Sequence, residues 1–308
     1  ITDRINITGY VYAVCFLPID YLPLPPLDLT DGTPLATITS LDSCTSLFHL
    51  YSRAFIHMQA YGAGFAQVYN KRWSGFARQV APFLCDYYAT TPLSQHNRFV
   101  LDLCCGTGQL AVYFLERGYQ VVGLDLSAAM LHYAHENARP YLATGQARFV
   151  QADATAFTLP ERFGLVVATF DAVNHLPDLA ALQRCFQCVA DVATGYFIFD
   201  INTRLGLRRW NNIEVDDSRE DMTIVNHGIY DIDSARAWMK VTGYVRNADG
   251  DDERFEQTAY NTVFAMADVA AALRATGWQE VYFARLQDLT TPLPDPEQEG
   301  RVFVVARK

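Results

Sequence analysis

The chain has 308 residues, enough to bury a full core in one large domain or two. Half of them are apolar and 19% charged, the balance of a globular protein rather than a disordered one. A formal net charge of −10 argues against a nucleic-acid partner, because binders of that backbone neutralise phosphates with Lys and Arg. No apolar run approaches the roughly 20 residues of a membrane span; the longest, Tyr10 to Leu17, has 8. A charged leader followed by an apolar stretch and a cleavage site is also missing, so no membrane partner is expected. Seven cysteines, an odd number, read as reduced thiols of a cytoplasmic protein. The first residue is Ile1, not Met, which suits a processed chain or an excised domain.

Residues 1–94 form a preamble. Pro18, Pro23, Pro25, Pro26 and Pro34 exclude helix from its first part. From Ser43, Leu47, Tyr51, Ala54, Phe55 and Met58 recur at helical spacing. A break at Tyr61-Gly62-Ala63-Gly64 precedes a second helical stretch from Phe65 to about Tyr88, and this pair of helices is placed to serve as a lid.

Residues 95–202 alternate strand and helix. Strand-like runs are Phe99–Leu103, Gln120–Leu124, Ala147–Val150, Leu165–Phe170 and Tyr196–Ile201; helical patterns fall at Gly108–Arg117, Ser127–Ala138 and Leu179–Val192. Ser127 is a natural N-cap. The alternation predicts a parallel sheet with helices on both faces and a ligand at the carboxyl ends of the strands. Residues 203–264 change rhythm, with three β runs, Met222–Ile232, Ala237–Arg246 and Glu253–Phe264, separated by turn signals. They read as an antiparallel insert. Residues 265–308 bring one helix, Ala267–Thr276, with Gly277 behind it, then strands Glu280–Arg285 and Arg301–Ala306 that complete the main sheet.

The decisive stretch is VLDLCCGTGQLA, Val100 to Ala111. Gly106-Thr107-Gly108-Gln109-Leu110-Ala111 fits the G-x-G-x-x-A form of the dinucleotide fingerprint. Asp102, just before it, speaks against that reading. Its carboxylate would repel a pyrophosphate, at about 4 kcal/mol for charges about 4 Å apart at an effective dielectric near 20, and would attract a cation. S-adenosylmethionine offers an ammonium and a sulfonium. A metal fits less well, since adjacent Cys104 and Cys105 point apart on a strand, and Cys185 with Cys188 lacks a second pair.

The segment from Val100 to Leu131 resembles the core of class I S-adenosylmethionine-dependent methyltransferases. Gln151-Ala152-Asp153-Ala154 and Phe170-Asp171-Ala172-Val173-Asn174-His175-Leu176 resemble two further motifs of that family. The resemblance implies a Rossmann-like, seven-stranded, mostly parallel sheet with a helical lid and a β insert over the substrate pocket. More loosely, it extends to small-molecule methyltransferases and to the O-methyltransferase domains of polyketide synthases. It implies S-adenosylmethionine as cofactor, S-adenosylhomocysteine as product, and no metal. Asp102, Gly106 and Gly108 would frame the methionine end; Asp125 would bind the ribose hydroxyls, with Leu126 against the adenine. Asp153 would accept from the adenine amino group, and Ala154 would line the ring. Tyr69, Cys104, Thr107, Met130 and Phe170 complete the expected contacts.

On the acceptor side, His175 is the expected general base, because it follows the fourth strand and imidazole titrates near the operating pH. Asp200 and Asn202, at the end of the fifth strand, are expected to orient that histidine or the substrate. His227 is a weaker candidate. Trp210, Tyr230, Trp238, Tyr244 and Tyr260 give the insert an aromatic stock that would suit an apolar acceptor. The expected partner is a small-molecule acceptor, with presentation on an acyl carrier protein as one option. O-methylation is favoured; methylation of a small amine or amino sugar, a nicotinamide-dependent oxidoreductase and a non-catalytic cofactor-binding module are the alternatives.

Overall fold

The computed structural model describes residues 60–211, 213–216, 222–246 and 250–308. The proline-broken stretch and the helix expected around Leu47–Met58 lie outside the described residues. In chain order the strands begin with β1 (Phe99–Leu103), β2 (Gln120–Asp125), β3 (Ala147–Gln151), β4 (Phe163–Ala168) and β5 (Ala193–Asn202). The insert contributes β6 (Ile213–Asp216), β7 (Met222–Asp231), β8 (Arg236–Arg246) and β9 (Asp252–Thr262), and the chain ends with β10 (Glu280–Ala284) and β11 (Arg301–Arg307). Seven strands form one sheet in the order β10-β11-β5-β4-β1-β2-β3, parallel except for β11, which runs antiparallel to both neighbours. The other four form an antiparallel sheet in the order β6-β7-β8-β9. Helices are α1 (Ala63–Val68), α2 (Gly75–Ala89), α3 (Gln109–Leu115), α4 (Ala128–Asn137), α5 (Arg139–Ala143), α6 (Leu179–Val192), α7 (Arg204–Arg208) and α8 (Met266–Ala275).

The near-continuous apolar runs of β4 and β5 are buried on both faces, as central parallel strands require. Alternate residues feed two cores. Leu101, Leu103, Val166, Phe197 and Phe199 pack with α6 and α8, while Val100, Leu165, Val167 and Ile198 pack with α2 and α3. Capping follows the sequence signals: Ser127 Oγ accepts from the Met130 amide at 3.1 Å, and Asp178 Oδ1 accepts from the Ala181 amide at 2.8 Å. Among the described residues no helix is long and apolar enough to cross a membrane.

Four features depart from the sequence reading. The stretch from Phe65 to Tyr88 is not one helix, because a π-helical turn at Tyr69–Trp73 separates α1 from α2. That helical region begins at Ala63, within the expected break. The fourth strand stops at Ala168, since Phe170 and Asp171 adopt left-handed backbone (φ 66° and 49°) that no strand accommodates. Short elements β6, α5 and α7 carry too little periodic pattern to be seen in advance.

Phe199 is fully buried, with its ring centroid 4.6 Å from Phe197 and 5.5 Å from Phe186. Phe199→Ala should lower the unfolding free energy by about 3–5 kcal/mol in a urea titration. A loss below about 1 kcal/mol would show that this aromatic cluster does not carry the α6 face.

Candidate active site

The turn after β1 is built from three left-handed residues, Cys104 (φ 58°), Gly106 (φ 53°) and Gly108 (φ 81°). A Cβ on Gly108 would lie 3.0 Å from that of Ala134, so only glycine lets α4 approach the turn. A Cβ on Gly106 would meet the Tyr69 ring at 3.4 Å, which places that tyrosine directly over the turn. Asp125, at the tip of β2, clasps the turn from the other side. Its Oδ2 accepts from the Gly106 amide at 2.8 Å and its Oδ1 from the Ser127 amide at 2.9 Å. Asn70, one residue after Tyr69, ties this segment to α3 and α4 by accepting from Gln109 Nε2 at 2.7 Å and from Asn137 Nδ2 at 2.9 Å. Thr107 is fully buried; its hydroxyl donates to Gln109 and its carbonyl accepts from Asn137.

The charge pattern of this cradle is unusual for a folded interior. Asp102 is buried, and its Oδ2 has no partner among the described residues. Burial, and then the neighbouring Asp125 charge, push its carboxyl up to about 8. Asp125 is also raised by burial, against the opposing pull of the Ser127 and Gly106 amides. Two buried carboxyls with spare acceptor capacity fit a cation. They suit the ammonium and sulfonium of S-adenosylmethionine and disfavour a pyrophosphate.

The remaining expected contacts divide. Asp153 Oδ1 is spent on the Thr155 amide (2.7 Å) and hydroxyl (2.8 Å), leaving its second oxygen for an adenine amino group. Leu126 is half-buried beside it, its carbonyl held by Gln151 Nε2. Ala154 packs into the α6-side core, and Met130 joins Phe65 and Val68 of the lid and Val241 of the insert. Met130 is thus a packing residue that joins helix to insert, because the third residue of α4 packs against α1 rather than the turn. Cys104 and Cys105 lie in the turn beyond β1 rather than on the strand, and pack into separate clusters. Burial raises both thiols well above the ordinary range.

On the acceptor side Asp200 takes a different role from the one expected. It is fully buried and accepts from the Phe170 amide at 2.6 Å, the Asp171 amide at 2.9 Å and the Arg301 guanidinium, which also reaches Asp171 Oδ1 at 2.8 Å. Both oxygens are used to hold the left-handed pair after β4, so none is directed to His175. Phe170 stacks on Phe76 at 4.7 Å and tilts against Tyr69 at 5.9 Å. Beyond the pair, Asn174 bridges two sheets. Its Oδ1 accepts from the Asn202 amide, and its Nδ2 donates to the carbonyls of Asn202 and of Thr262 on the edge strand β9. Asn202 is therefore fixed by its backbone; its side-chain nitrogen is buried without a partner among the described residues.

His175 follows onto the same edge. Its Nδ1 lies 2.7 Å from the Tyr260 carbonyl, which can only accept, so Nδ1 carries the proton and Nε2 presents its lone pair. The Tyr61 hydroxyl sits 3.2 Å from that Nε2, and the Tyr61 carbonyl accepts from Ser127 Oγ, next to Asp125. Burial holds the Tyr61 phenol well above its ordinary range, so it is a donor here.

Of the insert's aromatic side chains, Trp238, Tyr244 and Tyr260 lie on the face away from α1, whereas Tyr230, paired with Ala237, shares the face that packs on α1. Trp238 pairs with Tyr260 across β8 and β9, and both Tyr244 and Tyr260 are exposed, as is His227. The opposite face carries Asn226, Val241, Gln257 and Asn261 and packs on α1 through Val241, Val245 and Ile224. It is Tyr260's backbone, not its ring, that serves the site. Tyr61, Asn70 and Arg301 escaped the sequence reading, and Asp171 and Asn174 entered it only as members of the Phe170–Leu176 motif, because their roles depend on partners up to 130 residues away.

The profile of a family described as a methyltransferase domain matches residues 100–193. The Bacillus subtilis (strain 168) protein YqeM is 27% identical over 256 residues, spanning 80% of this chain and 96% of its own length. A ubiquinone biosynthesis O-methyltransferase from Leptothrix cholodnii is 32% identical over 137 residues, covering 41% of this chain and 57% of that protein. Among solved structures, an S-adenosylmethionine-dependent methyltransferase from Clostridium acetobutylicum ATCC 824 superposes with a TM-score of 0.64 at 19% identity, covering 79% of this chain and 97% of that one. The sugar N-methyltransferase KedS8 from Streptoalloteichus sp ATCC 53650 gives 0.57 at 20% identity, over 94% and 100% of the two chains. Fold, cradle and family profile agree: the chain carries a methyltransferase domain at residues 100–193, in a fold shared with class I S-adenosylmethionine-dependent methyltransferases.

Asp125→Ala removes both the clasp on the turn and the charged ribose acceptor, whose hydrogen bonds are worth about 1.5–3 kcal/mol each. Calorimetry with S-adenosylhomocysteine should show a dissociation constant raised at least tenfold; an unchanged value would place the ribose elsewhere. Asp102 allows a second test. Its folded value, about 8, lies above that of an unfolded aspartate, so the unliganded protein loses stability as pH rises toward and through that value. A cationic ligand favours the ionised carboxylate and expels the proton. Titrations at pH 7 in two buffers of different ionisation enthalpy should therefore reveal proton release on S-adenosylhomocysteine binding, absent in Asp102→Asn. Equal release in the two proteins would overturn the assignment.

Proposed function

We propose that the protein is an O-methyltransferase acting on a hydroxyl of a small molecule, with His175 as its general base. The observation that carries this reading is the locked tautomer. With Nδ1–H held by the Tyr260 carbonyl, Nε2 is the basic nitrogen, and it faces the lid at Tyr61 within reach of the Asp125 end of the cradle. When bound, S-adenosylmethionine supplies an electrophilic methyl group, and Asp102, Gly106, Asp125 and Asp153 are the residues that would hold it. The chain's remaining task is to seat the acceptor and remove its proton. A hydroxyl attacking in place of the Tyr61 phenol would pass its proton to Nε2, and Tyr260 would steady the resulting imidazolium at Nδ1. Phe170, Tyr69 and Phe76 exclude water from the other side. The partial match to an O-methyltransferase supports this reading. An amine acceptor, already deprotonated, would need no such base.

His175→Ala should cut turnover by about 10²–10⁴-fold while leaving S-adenosylhomocysteine affinity unchanged. Added imidazole should restore part of the rate. A variant within a few-fold of wild type on its acceptor would sink the base assignment and leave N-methylation as the better reading.

A further inference from the structure

One hydrogen bond at the site stands in the way of the chemistry proposed for it. The Tyr61 hydroxyl lies 3.2 Å from His175 Nε2, the nitrogen that an acceptor hydroxyl must reach. Nδ1 is already held by the Tyr260 carbonyl, so with the phenol in place neither ring nitrogen is free. Burial, and then the charges of Asp171 and Asp125, hold the phenol well above its ordinary range, so it keeps its proton and donates to Nε2. The same residue reaches the methyl-donor cradle. Its carbonyl accepts from Ser127 Oγ at 2.7 Å, and the Ser127 amide donates to Asp125. Its ring stacks on Phe65 at 4.3 Å and stands edge-on to the imidazole at 6.0 Å. A phenol bonded to the base and tied beside the cradle sits as an acceptor hydroxyl would.

We propose that Tyr61 is an internal stand-in for the acceptor: its phenol caps His175 Nε2 in the resting enzyme, and the acceptor hydroxyl must displace it. The inference rests on the His175 reading above and adds the residue that controls access to that base. The backbone shows where the displacement pivots. Gly62, the N-cap of α1, has no side-chain cap bond, and a Cβ there would meet nothing within 4 Å. Its amide donates to Gln257 Oε1 at 3.2 Å. Two residues on, the chain is clamped, because a Cβ on Gly64 would lie 2.7 Å from that of Phe255 on β9. Tyr61 can therefore turn out at Gly62 while α1 stays on the insert. The displacement sets selectivity. An acceptor whose hydroxyl bonds Nε2 replaces the bond it breaks, so little is lost. A ligand with no hydroxyl at that point leaves the imidazole nitrogen unpaired and is disfavoured about tenfold.

The test follows Nε2 itself, with S-adenosylhomocysteine present. Diethyl pyrocarbonate acylates an imidazole through a nitrogen lone pair, and its rate at each histidine is read by peptide mass spectrometry. In wild type His175 should react more slowly than the exposed His227. In Tyr61→Phe, which keeps the ring, it should react at least about fivefold faster, and in Tyr61→Ala faster still. p-Cresol should restore the slow reaction in Tyr61→Ala; toluene, which lacks the hydroxyl, should not. With S-adenosylmethionine in place of its product, that p-cresol should be methylated: the sulfonium S–CH3 bond breaks, the phenol oxygen takes the methyl, and its proton passes to Nε2. Wild type should leave p-cresol untouched. A His175 that reacts at the wild-type rate in both variants, or p-cresol that protects it yet is never methylated, would overturn the stand-in. Nitrogen-15 spectra of histidine-labelled wild type and Tyr61→Phe, a variant that loses only a hydroxyl, separate the two readings. A proton on Nε2 rather than Nδ1 would sink the base and the stand-in with it. An unprotonated Nε2 whose resonance is the same in both proteins would sink the stand-in alone.

Discussion

The acceptor side of this enzyme depends on one buried carboxylate. Asp200 receives two consecutive backbone amides from a left-handed pair that contains a phenylalanine, a conformation an L side chain resists. Arg301, reaching in from the antiparallel strand β11, bridges Asp200 and Asp171. Burial raises the Asp200 carboxyl, and the Arg301 charge works against that. With the pair held, the chain leaving β4 turns sharply out of the sheet and runs along the open edge of β9. There Asn174 and His175 use the Thr262 and Tyr260 carbonyls that an edge strand leaves free. A single strained corner thus joins the two sheets and sets the histidine's tautomer.

The cradle and the acceptor region solve opposite electrostatic problems. In the cradle, Asp102 and Asp125 are buried close enough for each other's charge to matter, so the empty-handed protein keeps a proton there. A cationic ligand relieves both the desolvation and the repulsion, which makes charge a source of selectivity as well as affinity. Around the corner after β4 the two acids share the single charge of Arg301, and the unpaired atoms of Asn202 and Asn261 are amides.

The core was legible because its signals are local. The Asp102 to Ala111 turn, the capping by Ser127 and the alternation of strand with helix each span fewer than a dozen residues, and the strand at Phe99–Leu103 falls where the apolar run predicts. His175 was singled out from its place after the fourth strand, and the structure sets it between Tyr61 and the edge of β9. What the sequence hid is long-range pairing. Asp200 looked like a group for orienting the histidine because both lie at strand ends, yet its partners are the Phe170 and Asp171 amides and Arg301, 101 residues on. The aromatic residues of the insert suggested an apolar pocket, but alternation along β8 and β9 sends Trp238, Tyr244 and Tyr260 to the outer face. Which face of an isolated sheet meets the core is settled by packing against α1, and no periodicity within the insert reveals it.

That reversal of faces changes the chemistry the insert can offer. Had the aromatic face turned inward, burial of apolar surface would have driven acceptor binding and the fold would have gained stability from it. With the amide face inward, Asn226 and Asn261 bury polar atoms that have no partner among the described residues and that a well-packed apolar surface would not have, so this face forgoes stability. The cost is offset by the apolar contacts of Ile224, Val241 and Val245 with Phe65 and Val68 on the same sheet face. One face of one small sheet therefore both packs on α1 and buries amides among its apolar residues.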